Sequence, residues 1–541
     1  MASQLLMNTT FGGVMDIHHS AVPILMPWAA CPSILAWMML PFASIILYCV
    51  YELYFHPLAK YPGPLLAKFT ILRATYHAWK EDIHLDMFHC HQKYGPIVRY
   101  APDFVLFDTP SAIKDIYGTK SNTWKHHNFA TLSPKSVNLF TAHDKKEHAK
   151  RRRLVGPSFS DNNMQRFEKN LIHHCQTLCE QLYPSRERHE RTDSWGPAMN
   201  MSDWCRYLAF DVISEFLFGI TGNLLQSNEW RHMEHSVADH SRRNAVLLWL
   251  PILMVGRLDK ILYKDAVEGT KKLWQWIQYA VERSAACNAT ESLFSRLTGA
   301  KDKETGTSLT DEQIRSELGV AVVAGMDTTA SAISALLFYL SRNKQIYDRL
   351  TAEIRGAFGS IDEIRHGKQL KSCTYLHACI EETLRMTPPV GSSTWREVGP
   401  GGENVDGHFI PKGCCVGTSI YSIHHNEAYF SKPHEFIPER WLPDSDILAT
   451  KSACLAFSSG SRSCIGRPLA YSEFQLTVTL LIWTHDFRAV PGTRGKLGGG
   501  RMPHQGESPV GRANPNEFQL QERIISVSEG PLLQFRPRKL Q

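Results

Sequence analysis

Cys464 lies in the stretch FSSGSRSCIG, residues 457–466, with Gly460 four residues before it, Arg462 two before and Gly466 two after. The chain holds thirteen cysteines, and one that merely fills a core needs no such setting. Gly460 permits a tight turn, and Gly466 lets the backbone amides that follow come close to the sulfur. Pro468 falls where the first turn of a helix tolerates proline, and LAYSEFQLTVTLLIW continues as a nearly all-apolar, buried helix. Cys464 therefore stands at a helix N-terminus, where free N–H groups and the dipole favour a thiolate. Arg462 adds positive charge and can pair with an anionic group of a cofactor, while Phe457 would shield the sulfur from water. One thiolate with no second ligand nearby suits an axial iron ligand better than a tetrahedral zinc site.

Other chemistry-bearing groups are spread along the chain. AGMDTT, residues 324–329, sets Asp327 and Thr328 in an otherwise apolar helix, where both are locally unfavourable and threonine often bonds back to its own helix. Read alone, the stretch fits equally a satisfied Thr–Thr pair with an exposed acid. EETLR places Glu382 and Arg385 one helical turn apart, a spacing that surface ion pairs share. Arg440 in FIPERW, Arg396 in STWREV, and His148 with Arg152 in HAKRRR complete the set. Arginine forks suit carboxylates, though each could be a solvated surface charge. His173, His174, Cys175 and Cys179 follow one another at helical spacing. They read better as one side of an amphipathic helix than as a zinc site, because no second cluster completes the ligand set.

The elements that must position these groups are mostly helical. Residues 144–343 read as helices, helical stretches continue to about Met386, and short turn-rich strands follow from Val390 to Gly417. The clearest helix runs from Asp311 to about Arg342. Thr310 and Gln313 form a capping box at its start, and apolar residues recur at three- and four-residue steps from Ile314 to Leu340. Such a helix is roughly 45 Å long and crosses a whole domain. Residues 494–512 are rich in Gly and Pro and read as a surface loop. PLLQFRPR predicts one last strand.

The N-terminal region has no Asp, Glu, Lys or Arg from Ile17 to Tyr51. Residues 33–55 are long enough to cross a bilayer, and the Pro41 within them is tolerated in a kinked span. Lys60, Lys68, Arg73 and Lys80 follow the segment, which places the rest of the chain on the cytosolic side. The division is a lumenal segment 1–32, an anchor 33–55, a proline-rich hinge 56–64 and a catalytic domain 65–541. Asn8 would be lumenal and open to glycosylation. Scattered cysteines suit reduced thiols facing the cytosol. The net charge of +6 is compatible with an acidic protein partner or an anionic membrane and too dispersed to indicate nucleic acid.

FSSGSRSCIG matches the haem-binding loop pattern FxxGxRxCxG at every fixed position, and AGMDTT, EETLR and FIPERW follow the family's order. The chain thereby resembles the cytochromes P450 over nearly its whole length, and its two ends look like fungal microsomal members. The resemblance implies a mainly α fold with small β-sheets behind a single-span transmembrane helix. It implies haem b with Cys464 as axial thiolate, and Arg462, Arg396, Arg152, His148 and Phe457 around the cofactor. It also implies that Thr328 and Asp327 supply protons to dioxygen, with Gly325 opening room against the helix. Glu382, Arg385 and Arg440 would brace the fold near the cysteine loop. Lys145, Lys146, Lys150, Arg151 and Arg153 would form the exposed remainder of a basic helix that attracts an acidic reductase.

The implied function is an O₂-dependent monooxygenase that hydroxylates or otherwise oxidises a lipophilic small molecule in fungal secondary metabolism, with terpenoid, steroid or polyketide scaffolds as the substrate classes. NADPH would act only indirectly, through NADPH–cytochrome P450 reductase at the endoplasmic reticulum membrane, with cytochrome b5 as an optional second partner. A haem-thiolate isomerase acting on a peroxide would not need the Asp327–Thr328 pair. That pair and the basic helix also disfavour a non-catalytic gas sensor.

Overall fold

The structure, a computed structural model, describes residues 32–183, 194–287, 290–443, 447–502 and 511–538. Its centre is the helix Asp311–Arg342, and the reason it forms is legible at its first turn. The Thr310 hydroxyl accepts from the Gln313 N–H (3.3 Å), and the Gln313 side chain accepts from the Thr310 N–H (3.0 Å), so the orphan amides of the end are satisfied. Beyond the cap, Leu318, Val322, Met326, Ile333, Leu336, Leu337 and Leu340 are all buried. Each such side chain contributes about 1.5–3 kcal/mol on leaving water. The helix is also apolar enough to pass for a membrane span, but 67% of its most apolar stretch is buried inside the protein. It is the core of the domain.

Met201–Phe218 packs along this helix, and Gly325 sets how closely. A Cβ on Gly325 would stand 2.7 Å from Cγ1 of Ile213, so the missing side chain serves helix-to-helix approach. The expected opening of space beside Gly325 is thus filled by Ile213. On the other side, Asp161–Leu182 packs against Arg467–Thr484, which begins with proline in its first turn as anticipated. Cys175 and Cys179 are buried in this contact, with the Cys175 sulfur 3.3 Å from the Thr477 hydroxyl, and His174 bonds to Glu215. Among the described residues no group of three His, Cys, Asp or Glu side chains could hold a metal ion.

The largest sheet has five short strands in the order Ile97–Ala101, Phe104–Phe107, Cys415–Gly417, Arg396–Val398, Thr123–Lys125. Only the pairing of Phe104–Phe107 with Cys415–Gly417 is parallel. Its last register sets Lys125 directly opposite Arg396. Leu532–Pro537 forms the expected final strand, between Met199–Asn200 and His485–Ala489. The glycine-rich segment lies largely at the surface, as its composition suggests, but it is tied down at points. Gly495 is buried, its carbonyl accepts from Arg342, and Gly500 N–H donates to Asn514 O, while residues 503–510 lie outside the described ones.

At the N-terminal end, helix runs from Pro32 to Val50 and continues as a π-turn over Tyr51–Phe55, covering the expected residues 33–55. From Met39 to Val50 nearly all its large apolar side chains are exposed. The final turn differs from a lipid-facing one. Glu52 is buried, and the fully enclosed Arg99 bonds both its carboxylate and its carbonyl, the latter at 2.8 Å. A charged residue read as part of the span therefore belongs to the body of the protein. The apolar helical stretch left among the described side chains, Met39–Phe55, is shorter than a typical span. The prolines after it form a packed strap: Leu58 and Tyr61 are buried, and Pro62 O accepts from Arg99 N–H at 2.8 Å. Asn8 and the rest of the segment before Pro32 lie outside the described residues.

Candidate functional site

The cysteine loop is fixed by one glycine. Gly460 has φ +66°, and a Cβ there would come within 2.0 Å of Tyr117 O. The turn Gly460–Arg462 brings the Cys464 N–H onto Phe457 O (2.9 Å), closing the loop just before the helix Arg467–Thr484. Cys464 is open on one side and crowded on the others. Burial pushes its thiol above the usual value, against the Gly466 and Arg467 N–H groups and the positive charges of Arg152 and Arg467, all of which favour the thiolate. The Phe457 ring rests on Tyr471 (centroids 5.2 Å apart) and under Arg467, so it forms part of the apolar bedding of the loop.

Beside this loop a cavity of about 460 Å³ is lined by Arg152, His148, Lys145, Arg396 and Arg462 among others. Arg462 bonds to Ala142 O (2.7 Å) and His143 O (3.0 Å), and Arg152 to Ser463 O (2.8 Å). Arg396, buried, bonds to Thr394 O (2.8 Å) and lies over the Tyr117 ring. None of these three arginines has an ion pair among the described residues. The electrostatic consequence is uniform. Burial, then Arg396, pushes Arg462 down to about 10, and burial lowers Arg152 and Arg396 too. His148 falls to about 3, chiefly from burial and then from Arg462 and Arg152.

Sequence reasoning missed one member of this group. Lys125 is buried, with its ammonium 3.5 Å from the centroid of Phe140 and 4.3 Å from that of Phe129. Burial, with Arg396 and Arg462 beside it, depresses it well below the usual lysine value. Like charges directly opposite in a ladder are destabilising, and an anion beside Arg396 would relieve the pair. Converging cations, a cavity and an open cysteine sulfur fit a flat iron-bearing ligand with two carboxylates. The sequence signal for Lys125 was slight, since the register that sets it against Arg396 spans most of the chain.

Not every basic residue of the helix Lys145–Val155 is exposed. Arg151 is fully buried and bonds to Glu317 of the long helix (2.7 Å) and to Glu147 (2.7 Å), while Arg153 pairs with Asp302 and Glu304. Helical periodicity turns Arg151 inward, where Glu317 meets it. Lys145 and Lys146 remain exposed.

On the long helix, Thr328 donates to Ala324 O (2.7 Å), the back-bond its position allows. Asp327 is buried, and neither of its carboxyl oxygens has a hydrogen-bond partner among the described residues. Burial pushes it up to about 7, opposed by Arg206 and Arg523 and reinforced by Glu234. These three partners were not foreseen. Arg206 and Asp203 look like an ordinary surface i,i+3 pair in sequence.

The bracing network forms as expected. Glu382, fully buried, accepts from Arg385 Nε (2.8 Å), Arg440 Nε (3.2 Å), Trp441 Nε1 (2.9 Å) and the Ile437 N–H (2.9 Å). Arg385 also bonds to His424 O and Pro433 O, both at 2.8 Å, tying the helix Thr374–Met386 to the segment that leads to the cysteine loop.

Comparisons with known proteins show the family of the chain. The family model described as Cytochrome P450 matches residues 60–497. The chain is 40% identical over 507 residues to the cytochrome P450 monooxygenase poxM of Penicillium oxalicum, covering 93% of this chain and 94% of that protein. It is 40% identical over 497 residues to the cytochrome P450 monooxygenase AKT7 of Alternaria alternata, covering 90% and 94%. Among solved structures, the haem domain of cytochrome P450DA has a similar fold, with a TM-score of 0.67 at 18% identity over 85% of this chain and 94% of that one.

Proposed function

We propose that this chain, which belongs to the cytochrome P450 family and is a monooxygenase, oxidises a lipophilic small molecule in fungal secondary metabolism, on a terpenoid, steroid or polyketide scaffold. The observation that carries the reading is the group of buried and half-buried cations beside a cysteine at a helix N-terminus. The family implies a haem-thiolate cofactor, and Cys464 would supply its thiolate in this reading. Arg152, Arg396 and Arg462 line the cavity and would receive the two carboxylates, with Lys125 adding positive charge behind Arg396; His148 lines the same cavity, and Phe457 packs behind the loop. When bound, haem supplies an iron centre that activates dioxygen, with thiolate donation favouring O–O cleavage.

The chain's own residues govern protons and water. Asp327 is a carboxyl held where burial keeps it protonated near neutrality, so it can release a proton inward at physiological pH. Thr328, one residue on and only partly buried, orients the proton acceptor by rotating its hydroxyl away from Ala324 O. Glu382, Arg385 and Arg440 position the cysteine loop without touching substrate.

Electrons come from NADPH–cytochrome P450 reductase docking on exposed Lys145 and Lys146, with cytochrome b5 as an optional second donor. The exposed apolar part of residues 33–55, ahead of the buried Glu52, anchors the protein once in the endoplasmic reticulum membrane, with the catalytic domain 65–541 in the cytosol and the hinge 56–64 between them. The test is reconstitution with reductase and NADPH against a panel of terpenoids, steroids and polyketides under isotopically labelled dioxygen. One oxygen atom from dioxygen in the product, with strict dependence on NADPH, is expected. Turnover of an organic peroxide without reductase, and no labelled product, would overturn the reading in favour of an isomerase.

A further inference from the structure

Glu522 is a fully enclosed carboxylate, and among the described residues no lysine or arginine stands within ion-pair distance of it. His84 lies 3.6 Å away but is pushed down to about 3, first by burial, so it brings no charge. The bonds to Glu522 come from N–H and O–H donors on two separate segments. The Gly391 N–H is shared between its two oxygens (3.1 and 3.0 Å), the Ser392 N–H donates to Oε1 (2.9 Å), and the Ser526 hydroxyl donates to Oε2 (3.1 Å). Gly391 has no room for a side chain, since a Cβ there would stand 2.9 Å from Glu522 Oε2 and 3.0 Å from Cβ of His84. A buried charge without a counter-ion is costly, and a well-packed apolar side chain would cost the fold less. What the carboxylate adds is a fixed geometry between the segments it joins.

Both segments lead to the site. From Ser392 the chain runs directly to Arg396, which lines the cavity beside the cysteine loop and bonds to Thr394 O. The Ser526 N–H donates to Pro389 O (2.9 Å), and the Ser526 carbonyl accepts from the Ser331 hydroxyl (3.1 Å) on the long helix. Ser331 lies one turn beyond Thr328, on the same face of that helix. Direct bonds therefore run without a gap from the Arg396 segment, through Glu522 and Ser526, to the long helix beside Thr328. We propose that Glu522 is a positioning residue that sets the spacing between the segment 389–395 and the long helix, and so determines how bulky a ligand can lie beside Thr328. The proposal rests on the reading of a haem bound by Cys464 and Arg396, with Thr328 facing the substrate. With the carboxylate gone, the Gly391 and Ser392 amides lose their acceptor, and the Ser526 N–H alone holds Pro389. The segment then yields to a large ligand that the native spacing resists.

The test is spectral titration of the holoenzyme with two azoles, imidazole and the bulky clotrimazole. An azole nitrogen ligates haem iron opposite the thiolate and shifts the Soret band, so no substrate is needed. E522L is expected to keep the carbon monoxide band and the imidazole Kd, while the clotrimazole Kd falls roughly tenfold, the scale of one lost buried hydrogen bond. E522Q is expected to keep the native ratio of the two constants, because its amide oxygen still accepts from Gly391 and Ser392 and its NH₂ donates to the Ser526 hydroxyl. A glutamine variant as altered as the leucine one would overturn the proposal in favour of a role for the charge. An unchanged ratio in E522L, or equal shifts for both azoles, would overturn it outright. If E522L holds no haem, S526A decides, since it removes a single side-chain bond and leaves the backbone bonds in place. A ratio moved roughly threefold in the same direction is expected there, and an unmoved one would overturn the proposal. A native protein with neither azole shift nor carbon monoxide band would instead sink the haem reading on which the proposal rests.

Discussion

Replacing Arg151 with methionine tests a feature that composition alone would misplace. In a run such as KKEHAKRRR, Arg151 reads as one more solvated cation, and losing an exposed ion pair costs about 0–1 kcal/mol. In the structure it is buried against Glu317, itself only 3% exposed. Burial outweighs the bond from the Leu139 N–H and the attraction of Arg151, so the Glu317 carboxyl already sits above its usual value of 4.5. Methionine would leave that carboxylate without a counter-charge. Its cheapest escape at pH 7 is to take up a proton across 2.5 pH units, at about 1.4 kcal/mol per unit, which caps the penalty near ~3.4 kcal/mol. Because the group's folded value is raised, the penalty grows as pH rises above 4.5 and shrinks to under about 1 kcal/mol at pH 5. The double variant R151M/E317L should recover most of the loss, since an apolar pair leaves no buried charge. Urea unfolding of the three proteins at pH 5 and pH 7 measures these differences. A penalty below about 1 kcal/mol at both pH values would refute the buried pair and restore the exposed reading.

Gly460→Ala is expected to abolish haem incorporation, because the new Cβ meets Tyr117 O and the φ of +66° is strained for any side chain; absorbance ratios of purified protein would show it. Lys125→Met should speed haem loss to an apomyoglobin acceptor by roughly tenfold or more, on the scale of about 1.5–3 kcal/mol for one charge-assisted bond, while leaving secondary structure intact by circular dichroism. Asp327→Asn removes a carboxyl whose folded value, about 7, lies far above its usual 3.8. The fold penalises its ionised form increasingly as pH rises from 3.8 and fully above 7, so at pH 8 the variant should unfold at higher urea, by up to about 4 kcal/mol. Turnover should fall at least about 100-fold in the same variant.

Much of the site was legible because its determinants are local. The capping box at Thr310, the proline after Cys464 and the Glu382–Arg385 spacing each act within a few residues, and each element begins or pairs where those residues say. What stayed hidden depends on partners far apart in the chain. Lys125 faces Arg396 only through a sheet register, and Arg151 meets a carboxylate 166 residues away. Gly325 looked like space beside a reactive helix, yet its missing Cβ is what admits Ile213. Glu52, one charge at the end of an apolar run, reads as part of that run until Arg99 is seen to enclose it. In each case the deciding partner lies beyond the reach of the local pattern.

The central claim is that Cys464 is the thiolate ligand of a haem held by Lys125, Arg152, Arg396 and Arg462. The most direct measurement is the carbon monoxide difference spectrum of the reduced protein beside that of Cys464→Ser, both expressed with haem precursor. The account predicts a strongly red-shifted Soret band in the first and its absence in the second. The same band in both proteins, or no haem absorption in either, would contradict it.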